Sequence, residues 1–106
     1  MHKLKMTTQL KKGVLDLCVL KILTNRDHYG YELVQKISKS MEITEGTIYP
    51  LLKRLKDNKL LSTYLKESDE GPSRKYYKLT ELGNETFKNK LEEWKDFTKT
   101  IEEFLK

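Results

Sequence analysis

The segment Gly46-Thr47-Ile48-Tyr49-Pro50-Leu51-Leu52-Lys53-Arg54-Leu55 constrains the fold more than any other stretch of this chain. At 100° per residue, Leu51, Leu52 and Leu55 fall within about 60° of Ile48, which makes a helix with one apolar stripe. Gly46, Pro50, Lys53 and Asp57 lie opposite, with Arg54 at one border and Thr47 and Tyr49 on the flanks. Such a helix must press on a core supplied by its neighbours. Its outer face stays small at the N-terminal end and basic further along. Pro50 lacks a backbone donor beyond the first turn, so the spacing also implies a kink or a late helix start.

The neighbours are legible by the same periodicity. Leu15, Cys18, Val19, Ile22 and Leu23 mark a first helix over residues 7–24, which Thr7 or Thr8 can cap, with Val14, Leu17 and Leu20 widening its stripe. Tyr29, Leu33, Ile37 and Met41 mark a second helix over residues 29–41. Thr44 is placed to cap the third, over residues 45–58, with Glu45 at its positive end. Residues 60–66 and 74–79 alternate in polarity around the polar stretch 67–73, the pattern of a hairpin. Thr80 then caps a long last helix to about Lys106. Along it Phe87, Leu91, Trp94, Thr98, Ile101 and Leu105 form a heptad seam broken only by Thr98, widened by Phe97 and Phe104.

Three helices and a ribbon close over one small core, and 106 residues leave little surface to cover the last helix. Two chains are therefore expected to pack along it, with Phe87, Leu91, Trp94, Phe97, Ile101, Phe104 and Leu105 in the interface. The expected fold is mainly α with a two-stranded β-wing. Residues 1–80 form a winged helix-turn-helix, and residues 81–106 a C-terminal dimerisation helix.

Charge narrows the partner. The net charge of +5 and pI near 9.2 favour an anionic partner. Residues 1–44 hold 8 Lys/Arg against 4 Asp/Glu and residues 45–80 hold 8 against 5, whereas residues 81–106 hold 5 against 7. The last helix is thus a poor candidate for touching phosphate. A major groove about 12 Å wide admits a helix whose leading side chains are small, as Gly46 and Thr47 are. Lys53 and Arg54 can reach phosphate or guanine, with Tyr49 beside them. Arg74, Lys75 and Lys78 supply an acid-free shoulder on the hairpin, and Tyr29 and Tyr31 open the second helix where a hydroxyl can meet a phosphate. Each element also has a plainer reading: a solvated amphipathic helix, a solvated hairpin, tyrosines packed under the third helix. A winged-helix module docking on protein or RNA without reading bases is the alternative function.

Enzyme chemistry is not expected. His2 and His28 are assigned to a tail and a solvated turn, and no spacing suggests a metal site, a nucleophile–base pair, a cofactor or a catalytic residue. Cys18, the single cysteine, allows no internal disulfide and reads as a small core residue. No apolar run is long enough for a signal peptide or a membrane span, so a cytoplasmic protein with no membrane partner is expected.

Three stretches in order resemble the PadR-like transcriptional regulators: Tyr29-Gly30-Tyr31-Glu32-Leu33, residues 46–55, and Gly71-Pro72-Ser73-Arg74-Lys75-Tyr76-Tyr77-Lys78-Leu79-Thr80-Glu81-Leu82-Gly83. The resemblance spans about residues 8–106. It implies a homodimer that binds a near-palindromic double-stranded DNA operator, usually as a repressor, and that dimerises through the C-terminal helix in the manner of the compact branch of the family. Trp94 resembles the tryptophan of multidrug-binding members, whose paired indoles sandwich flat aromatic ligands between subunits. This implies a planar aromatic effector. Many members carry glycine where Lys59 stands, and Asn58 is expected to take the left-handed cap in its place.

Overall fold

The computed structural model describes residues 3–5 and 13–106. The elements are α1 (Val14–Asn25), β1 (His28–Tyr29), α2 (Gly30–Ser38), α3 (Glu45–Asp57), β2 (Leu61–Ser68), β3 (Gly71–Leu79) and α4 (Glu81–Leu105). The apolar stripes meet in one core. Leu15, Val19, Leu20 and Leu23 of α1 face Leu33, Val34 and Ile37 of α2 and Ile48, Leu51, Leu52 and Leu55 of α3, closed by Ile43, Leu61 and Tyr77. Burying an aliphatic side chain of this size contributes about 1.5–3 kcal/mol, so these positions carry most of the fold's stability.

Among the described residues the first helix begins at Val14, after Gly13 at φ 80°, a left-handed conformation that glycine adopts without strain. The expected caps Thr7 and Thr8 lie outside the described residues. The second helix ends at Ser38, short of the expected Met41. There the chain turns on bonds from the Ser40 and Met41 amides to the Ile37 carbonyl, and Met41 forms a parallel bridge with Leu4.

The wing is part of a three-stranded antiparallel sheet, ordered β1-β3-β2, not the two-stranded ribbon the alternation implied. His28 pairs with Tyr77 and Tyr29 with Tyr76. A two-residue strand has no periodicity of its own; it forms because β3 offers it an open edge. β2 and β3 also run closer to the tip than expected, pairing as far as Ser68 and Gly71 around Asp69-Glu70. Pro72 is tolerated because β3 has a neighbour on one side only at that point.

Past α3 the chain reverses through a Schellman arrangement. The Lys59 amide donates to the Lys56 carbonyl and the Leu60 amide to the Leu55 carbonyl. Lys59 itself holds the left-handed conformation at φ 64°, whereas Asn58 stays at φ −83°. The expected Asn58 cap is thus displaced by one residue, because the motif needs its positive φ just past the helix end.

Thr80 joins the wing to the last helix. Its hydroxyl accepts from the Gly83 amide at 2.9 Å and donates toward the Lys59 and Leu60 carbonyls at 2.7 and 3.0 Å. Gly83 lies against Leu60; a Cβ there would sit 2.1 Å from the Leu60 carbonyl oxygen. Beyond this anchor α4 is largely uncovered. Phe87 packs partly on the core, while Trp94, Phe97 and Ile101 are exposed and Phe104 and Leu105 are about four-fifths so (81% and 79%).

Candidate nucleic-acid interface

Three elements converge on one cleft of about 320 Å³: the start of α2 with Tyr29, Gly30 and Tyr31, the outer side of α3 with Tyr49, and β3 with Arg74, Lys75 and Tyr77. Gly30 makes room for the Tyr49 ring, which a Cβ would meet at 2.7 Å and push aside. Burial and the Glu45 charge push the Tyr49 hydroxyl above its ordinary pKa, keeping it a neutral donor. The Arg74 guanidinium lies 4.7 Å from the Tyr29 ring centre, a cation–π contact that fixes a long side chain at the mouth of the cleft. No carboxylate lines this cleft among the described residues.

Behind it runs a ladder of rings that sequence reasoning missed. Tyr31, Tyr29, Tyr76 and Tyr64 follow one another at centroid spacings of 6.4, 5.7 and 5.5 Å, and Lys66 covers Tyr76 at 5.3 Å. The signal was present in the alternation of β2 and β3, but the two-residue β1 that brings Tyr29 into the ladder was not. The Tyr64 hydroxyl donates to Asp27 at 2.7 Å and its pKa is pushed up to about 12 by that bond. Glu32 anchors the near end: it accepts from the Tyr29 amide at 3.1 Å and pairs with Arg26 at 2.9 Å. Burial would raise the Glu32 carboxyl, but these two bonds hold it below the usual range.

His28 is fully buried, not solvated in a turn as the sequence implied. A carbonyl can only accept, so Nδ1 carries the proton it donates to the Arg26 carbonyl at 2.9 Å, and Nε2 accepts from Lys36 Nζ at 2.7 Å. Burial first, then the nearby Lys36 and Arg26 cations, pull its pKa below the ordinary value. His28 therefore acts as a neutral pin between β1 and α2, beneath the tyrosines.

The remaining expected contacts divide. Gly46 and Lys53 are exposed on α3 and Thr47 is half-buried; Lys53 also meets Asp57 at 3.1 Å in a solvent-exposed pair worth about 0.3–0.5 kcal/mol. Arg54 is engaged with Asp16 of α1. Lys78 does not join the cleft. It lines a separate groove with Asp27, Thr80 and Glu81.

A second cavity, of about 550 Å³, opens between α1, α2 and α4. Leu17, Cys18, Ile22, Ile37, Met41, Phe87, Leu91 and Trp94 make it apolar, with Lys21 and Lys36 as its only charged lining residues among those described. Burial pushes the Cys18 thiol up, away from the reactive thiolate. Among the described residues no His, Cys, Asp and Glu group could hold a metal ion, and no helix is long and apolar enough to cross a membrane.

A helix pair that presents a third helix beside a β-wing defines a winged helix-turn-helix, an architecture of DNA-binding proteins. The chain belongs to the PadR-like family of transcriptional regulators, whose model matches residues 19–89. It is 40% identical to a PadR-like transcriptional regulator from Bacillus cereus, whose crystal structure superposes with a TM-score of 0.84 over 93% of this chain and 98% of that one. A transcriptional regulator from Streptococcus is 38% identical, with a TM-score of 0.85 over 94% and 100% of the two chains. An uncharacterised protein from Lysinibacillus sphaericus is 33% identical over 98 residues, 89% of this chain and 90% of its own length. The protein is thus of a family of DNA-binding transcriptional regulators, not of enzymes.

Proposed function

We propose that two copies of this protein, joined along α4, bind a near-palindromic operator and repress the adjoining gene. The observation that carries the reading is the acid-free cleft in which Tyr29, Tyr31, Tyr49, Arg74 and Lys75 surround one space beside the exposed start of α3. A backbone phosphate fits that chemistry: phenol and cation donors, fixed side chains and no carboxylate among the lining residues. Gly46, Thr47 and Lys53 then face the major groove, with the two copies of α3 about 34 Å apart, one turn of the duplex. Lys78, with Asp27 and Glu81 as neighbours, contributes less than Arg74 or Lys75. The exposed α4 residues Trp94, Phe97, Ile101, Phe104 and Leu105 support the pairing, since large apolar side chains grouped on one helix need a cover.

Regulation follows from the second cavity. A planar aromatic effector that stacks on Trp94 would alter how α4 sits on α1, and with it the spacing of the two reading helices. Lys21 and Lys36 at its lining favour a neutral or anionic aromatic over a cationic one.

Fluorescence anisotropy on duplexes from the protein's own upstream region tests the DNA reading. About 8 phosphate contacts per dimer give a log–log salt slope near −7. Lys53→Glu and Lys75→Glu are expected to abolish binding at moderate salt while leaving the melting temperature in place. Absence of binding to every such duplex at low salt would overturn the proposal. For the effector, unchanged Trp94 emission on titration with neutral and anionic planar aromatics at tens of micromolar would do so.

A further inference from the structure

The recognition helix is tied to the first helix by a polar contact that spans 38 residues of sequence. Arg54 Nη2 donates to Asp16 Oδ1 at 2.8 Å and Nη1 donates to Oδ2 at 3.2 Å. The two partners are unlike in exposure: the Asp16 side chain is 10% exposed and that of Arg54 is 54%. The carboxylate is thus fixed by the packing of α1, while the guanidinium it holds still reaches solvent. A guanidinium has five N–H donors, and this fork uses two of them. Three N–H donors are left over on a side chain that is more than half exposed, and Arg54 lines one groove with Thr47 and Pro50, which stand on the same side of α3 at intervals of three and four residues.

From this geometry we infer that Asp16 is a positioning residue for DNA binding. It holds Arg54 in one orientation, so that the free edge of the guanidinium meets a backbone phosphate beside Thr47. The contribution is preorganisation. An unrestrained arginine must order its whole side chain when it binds, whereas this one is ordered beforehand. The inference rests on α3 being the DNA-facing helix. Asp16 touches no nucleic acid and acts only through Arg54.

A competing possibility has the opposite sign: the carboxylate neutralises Arg54 and holds it back from phosphate. A double-mutant cycle separates the two. The variants are Asp16→Asn, Arg54→Ala and the pair, measured by anisotropy on a labelled duplex from the protein's own upstream region over a series of salt concentrations. Ordering one long side chain in each of two subunits predicts a roughly tenfold weaker affinity for Asp16→Asn. Its salt slope stays that of the wild type, because the charge facing phosphate is kept. Arg54→Ala is expected to lose more and to flatten the slope by about 2, one phosphate per subunit. The double variant should match Arg54→Ala within about twofold, because a residue acting through another has nothing left to act on.

Arg54→Lys gives an independent reading should Asp16→Asn fold poorly. It keeps the charge without the fork, so the loss should again be roughly tenfold at an unchanged slope. Tighter binding by Asp16→Asn, an additive double variant, or wild-type affinity in Arg54→Lys would each overturn the inference. A wild-type protein that binds no duplex would instead overturn the reading of α3 itself.

Discussion

Gly83→Ala offers a sharp test of how α4 is joined to the wing. In an exposed helix interior this change normally stabilises by about 1 kcal/mol. Here the added Cβ would stand 2.1 Å from the Leu60 carbonyl oxygen and 2.7 Å from a Leu79 methyl. The oxygen is backbone and cannot swing aside, so α4 or β2 must move by about 1 Å; overpacking of this kind costs about 1–3 kcal/mol. The same oxygen accepts from the Thr80 amide at 3.1 Å and the Thr80 hydroxyl at 3.0 Å. Stretching both bonds costs about 0.5–1.5 kcal/mol each. Set against the helix gain, the net loss is about 3 kcal/mol. At about 4–8 °C per kcal/mol for a domain of this size, the melting temperature should fall by roughly 12–24 °C. Thermal melts at 222 nm and fixed protein concentration measure it. Gly46→Ala is the internal control: the nearest atom to its Cβ is Thr44 Oγ1 at 3.6 Å, so the same substitution should stabilise by about 0.5–1 kcal/mol. A melting temperature for Gly83→Ala at or above that of the wild type would refute the close approach of α4 to Leu60.

Three further outcomes are expected. Lys59→Gly relieves a left-handed residue and should raise stability by about 0.5–1 kcal/mol in urea titrations, where an asparagine cap at position 58 would predict no gain. His28, facing Lys36, Arg26 and Glu32, has a folded pKa below its unfolded value near 6.5; the unfolded chain therefore takes up protons first, and stability present above about pH 6.5 is lost as the pH falls below it. The melting temperature of His28→Gln should show less of this acid dependence than that of the wild type, and parallel profiles would contradict the assignment. Phe97→Glu with Ile101→Glu should shift sedimentation to a single subunit and, as at interface hot spots, raise the dissociation constant of the proposed dimer by at least about 30-fold, with the far-UV spectrum of the domain retained.

Local pattern was enough for the parts of this fold whose cause is local. The stripe Ile48, Leu51, Leu52 and Leu55 identified α3 because a helix that buries one face must repeat it. Thr80 identified the start of α4 because its hydroxyl caps within three residues. What was hidden depends on partners far along the chain. His28 is buried because Lys36 reaches back to it and β3 lies alongside; neither fact is visible in Arg26-Asp27-His28. The Asp16–Arg54 fork is hidden for the same reason, since a lone acid within an apolar stripe does not announce its partner. Met41 continued the spacing of α2, yet the backbone left the helix after Ser38. Of the residues expected to meet DNA, Arg74 and Lys75 with Tyr29, Tyr31 and Tyr49 meet in one cleft, while Lys78 and Arg54 have other neighbours.

The Thr80–Gly83 anchor gives α4 the mechanics of a lever. Its 25 residues extend about 37 Å from a fulcrum beside the sheet. A tilt of about 5° at that pivot sweeps the far end, with Phe104 and Leu105, through about 3 Å. Read in reverse, whatever grips the tip firmly sets the angle at which the wing is carried, and slack at the tip is scaled down before it reaches the pivot.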